Sequence, residues 1–584
     1  MFRSFRMLLC FALGCCAVAG AAEPAAPPSS WLAADSLVVL EITHPKEVLA
    51  RAFSNDVVQA VTSSPIYQAQ MANPKISEFL NVVKYFENHF NSDLPTILGK
   101  LTGGGITLAV QPQESVVMIV ESEDAKLLND VHEFLLMVAR NEAQKQNDPD
   151  RVKSAEYRGV TGWRVAPNEA HAIVGNRLII ANKPDELKLM LDRQAKEGGK
   201  TLADSARFQE ARKAADEKSF ARLYVDLAAL KQLPQLSDAL NRYENPLAAL
   251  LFAPVLGAMR ESNWISAGLA FQGEGVQLSL VTDGVANDPK AADGFAAFAD
   301  ASAGAMPNLT VPRQIAAMSL FRDLHAFYAA KDKLFPDRTS GLIFFENMMG
   351  IFFTGRDLTE EVLAETLPDV RVVVAEQKYD EKVGKPEPQF PGFAIVMRMR
   401  DPDKFRPIAE EAWQKALGLI NFTRGQQALP GLIIDRPTHG DTKYSTASFA
   451  PAKPADGSAA DVRFNFAPAL AMPGSYLIFS STQELACDLI DALKKETDAK
   501  EKPLSQIHSA VVLDGSQLAS ILKSNKEGLI RQNMVEKGNS RQQAEGEIGG
   551  MYMILSALQR FEMSAGVVDG HSKVQLQLDV KRPE

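Results

Sequence analysis

The feature that most restricts this chain is that its two halves spell the same pattern. Ser266-Ala267-Gly268-Leu269, leading to Val276-Gln277-Leu278, returns at one constant offset as Ser564-Ala565-Gly566-Val567, leading to Val574-Gln575-Leu576. Each copy alternates apolar and polar residues around a turn, Gly273-Glu274-Gly275 in one and Asp569-Gly570 in the other. Such alternation about a Gly-containing turn predicts a β-hairpin. Other matches occur in the same order. Asp93-Leu94 ahead of a strand-like 103–110 matches Asp357-Leu358 ahead of 367–374, and 116–126 matches 394–404. Gly175-Asn176-Arg177-Leu178 matches Gly474-Ser475-Tyr476-Leu477, each followed by a helical pattern. Leu223-Tyr224-Val225-Asp226 matches Val511-Val512-Leu513-Asp514, and the opening strands 37–42 and 315–320 are alike. Collinear matches of this kind predict a tandem repeat.

The expected organisation is a signal peptide over 1–22, a linker over 23–35, module one over 36–284, a linker over 285–312 and module two over 313–584, with a loop insertion at 450–460. Arg3 and Arg6 precede an apolar run at 7–18, and small residues follow at 17–22. The run is too short to span a bilayer, and the pattern is that of a cleaved secretory signal. Cleavage is expected between Ala19 and Glu23. A lipid anchor at Cys15 or Cys16 is the weaker alternative, because Ala12 and Leu13 stand in the wrong order for a lipoprotein signal. Export predicts periplasmic or extracellular localisation. After cleavage Cys487 alone remains of the four cysteines, so no intramolecular disulfide can form. No later stretch is long and apolar enough to cross a membrane.

Within each module, short strands alternate with amphipathic helices. Module one predicts strands at 37–42, 104–111, 115–121, 159–166, 170–174, 177–182 and 219–226, and a closing hairpin at 264–283. Helices are predicted near 45–70, 75–90, 124–145, 184–194 and 203–215, with a helical stretch to about 260, and a short helix at 291–299 in the linker. Adjacent strands with short turns favour a mainly antiparallel or mixed sheet with helices packed on one face. The fold class is therefore α+β, a tandem repeat of two similar modules.

The chain has 46% hydrophobic and 23% charged residues and a net charge of -10. This excludes wholesale disorder and argues against nucleic acid as a partner. Familiar catalytic patterns fail on inspection. Gly198-Gly199-Lys200-Thr201 lacks the upstream Gly of a phosphate-binding loop, and Gln194 stands in its place. Ser520-Ile521-Leu522-Lys523 has the spacing of some serine acyltransferases but lacks the companion motifs. None of the eight His pairs at a metal-binding spacing, and His132 reads as an ordinary helix residue. Asp401, Asp226 and Asp514 are expected to cap the helices that follow them. Cys487, on an apolar helical stripe, reads as a small hydrophobe. No cofactor or metal is implied.

Two stretches are unusually apolar, 246–259 and 341–353. The second carries Phe344, Phe345, Met348, Met349, Phe352 and Phe353, whereas its counterpart at 76–90 is charged on one side. The expectation is packing between the modules, with a ligand groove or partner surface as the alternative.

The helix before Asp93-Leu94-Pro95, Leu98, the Gly-rich lead-in to a strand, and Gly175 to Ile180 followed by a helix resemble a family of exported bacterial proteins of unknown function. That resemblance spans most of both modules and implies an envelope protein. It carries over no catalytic residues, and the polar insertion in module two departs from it. The sequence thus favours an exported, non-catalytic binding or scaffold protein of the cell envelope, with an envelope protein or an apolar ligand as partner. A periplasmic carrier of an apolar ligand is the first alternative, and a hydrolase with an unrecognised site the second.

Overall fold

The structure, a computed structural model, describes residues 26–63, 67, 71, 74–241, 243, 245–451 and 459–581. The export signal with Cys15 and Cys16, and most of the loop at 450–460, lie outside the described residues.

The first half contributes β1 (Val38–Ile42), β2 (Gly105–Gln111), β3 (Ser115–Glu121), β4 (Lys153–Tyr157), β5 (Val160–Arg164), β6 (Ala170–Val174), β7 (Arg177–Ala181), β8 (Ala221–Asp226), β9 (Trp264–Gln272) and β10 (Gly275–Thr282). The second contributes β11 (Gln314–Leu320), β12 (Thr366–Ala375), β13 (Gly392–Met399), β14 (Ile433–Asp435), β15 (Thr438–His439), β16 (Thr442–Ser448), β17 (Ala469–Ala471), β18 (Tyr476–Ser480), β19 (Ile507–Asp514), β20 (Leu558–Val568) and β21 (His571–Val580). All 21 strands belong to one long antiparallel sheet. From one edge inward the strands run β4-β5-β6-β7-β3-β2-β1-β8-β9-β10. From the other edge they run β14-β16-β17-β18-β13-β12-β11-β19-β20-β21, with β15 beside β16. The two series meet where β10 pairs with β21, Val276 opposite Leu578 and Thr282 opposite Ser572.

The order of strands is shared, but the register is not. Ser266 pairs through its hairpin with Val281, whereas Ser564 pairs with Gln575. The ungapped sequence match therefore shifts relative to the pairing, because the second hairpin turns earlier, at Asp569-Gly570.

The helices include α1 (Pro45–Ala52), α2 (Pro74–Phe90), α3 (Leu94–Thr102), α4 (Ala125–Lys145), α5 (Pro184–Gln194), α6 (Ala206–Ala214), α7 (Pro246–Glu261), α8 (Leu324–Ala329), α9 (Thr339–Phe352), α10 (Pro402–Gln426), α11 (Gln483–Ala499), α12 (Gly515–Ser524) and α13 (Arg541–Ala557). The expected caps form. Asp93 accepts from Thr96 N, Asp226 from Ala229 N, Asp401 from Asp403 N and Lys404 N, and Asp514 from Gln517 N. Each supplies an acceptor for a backbone donor that the helix start leaves unpaired.

Helices cover both faces of the sheet, which corrects the single-faced arrangement. On one face, α5 and α6 place Leu187, Met190 and Phe208 over Ile119, Ile179 and Tyr224. On the other, α3 and α4 place Ile97, Leu128 and Val131 over Val120 and Leu178. The second half has α11 on one face and α10 on the other. Strand β4 was not expected, because its side chains are mostly exposed and it lacks an apolar stripe. The linker helix is only a single turn, Gly294–Ala296.

The apolar stretch 246–259 does pack between the halves. Ala249 and Ala253 of α7 are fully buried with Phe295, Leu334 and Phe335. A fully buried arginine secures this contact. Pro254, inside α7, has no N–H to offer the Leu250 carbonyl one turn back. Arg322 Nε donates to that carbonyl instead, at 2.6 Å, and its other nitrogens reach Leu251 O, Phe321 O, His508 O and Ser509 Oγ.

Candidate functional site

An antiparallel sheet with one face toward water ordinarily carries polar side chains there. The middle of this sheet does not. Leu269, Leu278, Leu576, Met563, Val511 and Met318 stand directly opposite one another on β9, β10, β21, β20, β19 and β11. The same row continues through Val372, Ile395 and Phe479 in one direction and through Ala221 and Ile42 in the other. A second row lies beside it, in which Phe271, Val276, Leu578 and Phe561 lead on to Leu513, Ala316, Val374 and Phe393. Every one of these residues is apolar, and not one is buried. Leu578 and Phe393 are each 42% exposed.

The longer row crosses eleven strands, so at about 4.8 Å per strand the floor is roughly 50 Å long. Its ends run into helix-covered cores. Ile42 is paired with Ile106, which packs under α3 and α4. Phe479 lies 5.6 Å, ring to ring, from Trp413 of α10. Between these two cores α12 reaches β11 and β20 and α13 touches β20, and the floor residues stay half-buried or exposed. An apolar face of this extent that is not buried is a candidate interaction surface.

The residues singled out by sequence lie on α9, close to this floor. Phe353, just past the helix, packs against the core cluster that includes Leu477, as does Met397, and these two occupy the floor face of β18 and β13 two residues from Phe479 and Ile395. Phe344 is 71% exposed, Phe345 40% and Met348 36%, while Met349, Phe352 and Phe353 are half-buried. Ile343 and Ile351 are also exposed. Of this stretch, Leu342 packs into the core between the halves. Sequence reasoning found the helix but missed the floor.

Two polar clusters are buried among the described residues, and the first leaves one atom unpaired, His132 Nδ1. His132 and His171, far apart in sequence, meet Nε2 to Nε2 at 3.1 Å beneath Trp163, and Glu169 holds His171 Nδ1 at 2.5 Å. His132, expected as an ordinary residue at the helix boundary between core and solvent, is thus a fully buried pairing residue. Burial, and then the neighbouring His171, pull its pKa down to about 2. Arg371 is buried between Asp369, Glu496 and Tyr476, and the cluster fastens α11 to β12. Burial works against its charge, but the hydrogen bonds that Arg371 donates to Glu496 and Asp369 prevail and raise its pKa. Ser520 donates to Glu376 at 3.2 Å rather than meeting Lys523. Cys487 is half-buried against the Tyr444 hydroxyl, and burial raises its pKa. Among the described residues, no three His, Cys, Asp or Glu side chains converge to hold a metal ion, and no helix is long and apolar enough to cross a membrane.

Comparison with known proteins finds a family model that matches part of the chain. A family described as "Protein of unknown function (DUF3352)" matches residues 55–303. No curated protein matches. Solved structures that match include crystal forms I and III of TP0453, at 10% and 11% identity and TM-scores of 0.24 and 0.23. They cover 45% and 46% of this chain and 80% and 83% of the other.

Proposed function

We propose that this is an exported, non-catalytic binding protein of the bacterial cell envelope that holds an apolar, chain-like ligand along the floor of its central sheet. The two halves, on this reading, are copies of one unit, joined so that their apolar faces run together. The observation that carries the proposal is the continuous row from Ile42 to Phe479, apolar throughout and nowhere buried. A polar partner would gain nothing from such a surface. An acyl or polyprenyl chain would gain about 25 cal/mol for each Å² of apolar area it removes from water. The exposed side of α9, with Phe344, Phe345, Met348 and Ile351, forms a rim that such a ligand or an envelope partner would meet. The signal-like N-terminus supports export.

Native mass spectrometry of the mature protein, purified gently from its own envelope, tests this before and after organic extraction. The expected result is a discrete added mass that leaves with solvent and that is lost in a Met563→Glu variant. A bare chain mass would overturn the ligand reading. A protein adduct that survives extraction would return the function to scaffolding.

A further inference from the structure

The opposite face of the same strands has the reverse chemistry. In β10, Val276, Leu278 and Leu280 point to the apolar floor, so Gln277 and Ser279 point the other way. There Gln277 stands opposite Gln577, and Gln577 opposite Glu562. Ser279, Gln575 and Ser564 form the neighbouring row. These rows floor an open trough of about 510 Å³, walled by Asn308 and Thr310 of the segment that joins the halves.

The trough exists because a helix is missing. In the first half, α6 lies over β8, β9 and β10, with Phe208 edge-on to Tyr224 at 5.2 Å. In the second half the chain passes from α11, ending at Ala499, to β19, beginning at Ile507, with no helix between. The face left open carries amides and hydroxyls in place of the Tyr224, Trp264 and Val281 that α6 covers.

We propose that this trough binds a neutral, hydroxyl-rich chain, that is, a glycan. Its charges are already spent. Arg560 pairs with Glu562 at 2.5 Å, and Asp514 caps α12. A charged ligand therefore finds no free partner there. Each strand of the floor is paired on both sides, so a peptide finds no sheet edge to extend. An amphipathic helix finds no apolar seat like the one under α6. What remains is a set of neutral donors and acceptors. The side chains of Gln277, Gln575 and Ser564 make no hydrogen bond to another described residue, and Asn308 Oδ1 is buried without a partner among the described residues. An amide both donates and accepts, which suits vicinal hydroxyls.

Saturation-transfer NMR on the mature protein, with chitotetraose and maltotetraose as probes, tests the assignment independently of the apolar floor. Saturation should pass to at least one sugar. The Gln277→Leu/Gln575→Leu variant should weaken binding about tenfold, the loss of two neutral hydrogen bonds, and Ser564→Trp should block it sterically. Asp441→Asn, at the far edge of the sheet, should bind as the parent does. The assignment fails if neither sugar binds at about 10 mM, or if both trough variants, checked to unfold at the parent's urea midpoint, still bind like the parent.

Discussion

Arg322 and Pro254 make a coupled pair whose energetics can be measured. Pro254 removes the donor that the Leu250 carbonyl would use within α7, and Arg322, from the other half of the chain, restores one. Arg322→Met keeps the stem and removes the guanidinium. The Leu250 carbonyl is then buried without a partner, at about 1–3 kcal/mol. Loss of the remaining charge-assisted bonds adds to this, offset by relief of the cost of burying the charge, which pulls its pKa down to about 9. His508 O keeps the Phe321 N–H at 2.9 Å, so that carbonyl is not orphaned. The net expectation for Arg322→Met is a loss of about 2–4 kcal/mol. Pro254→Ala returns an N–H to α7. In that background, the cost of Arg322→Met should shrink by about 1–2 kcal/mol, the coupling expected of two groups that serve one carbonyl. Urea unfolding of the mature protein, followed by tryptophan fluorescence, gives all four corners of the cycle. If the cost of Arg322→Met is the same in both backgrounds to within about 0.5 kcal/mol, the two residues do not share the carbonyl and the reasoning is wrong.

The same structure sets three further outcomes. His132 and His508 have pKa values lowered from 6.5 to about 2 and about 3, in each case by burial first and then by a neighbouring His171 or Arg322. Unfolding below pH 6.5 therefore takes up protons that the folded chain refuses, and stability falls with pH. From pH 6.5 to 5 each should cost about 2 kcal/mol, and His508→Gln should flatten the urea midpoint over that window; an unchanged slope would count against it. A Cβ on Gly275 would lie 2.2 Å from Leu578 O. Gly275→Val should therefore strain the β10–β21 junction by about 2 kcal/mol or more, and amide exchange should speed up in β21 before it does in β3. Phe344→Ser should leave stability within about 0.5 kcal/mol, because that ring is 71% exposed; a larger loss would mean that α9 is covered.

What could be read from the sequence was local. The hairpin of β9 and β10 follows from alternation around Gly273-Glu274, and the Asp caps follow from their place before apolar runs. The strand β4 escaped because Lys153, Ser154 and Glu156 give an edge strand no stripe to show. The His132–His171 contact escaped because it is made by α4 lying over β6, and no spacing along the chain encodes it. The placement of helices on both faces escaped for a related reason: alternation identifies a strand but does not say which neighbour covers each side.

The floor is the sharpest case of that limit. Val276, Leu278 and Leu280 alternate with Gln277 and Ser279, and the ordinary inference is a strand with its apolar side in the core. The register across β9, β10, β21, β20, β19 and β11 places those apolar residues in continuous rows. The helix-covered cores lie over β2 and β3 on one side and over β13 and β18 on the other, and between them α12 and α13 reach β11 and β20 but leave the rows half-buried or exposed. The period identifies the strand, but it does not say whether a helix covers its apolar side. If the floor were merely a poorly covered core, a polar residue at its centre should stabilise the isolated protein or leave it unchanged, and nothing else should change. If it is a binding surface, Met563→Glu should leave folding within about 0.5 kcal/mol and remove the extractable mass. The two accounts part only in the second readout, so ligand retention, not stability, is the quantity that decides between them.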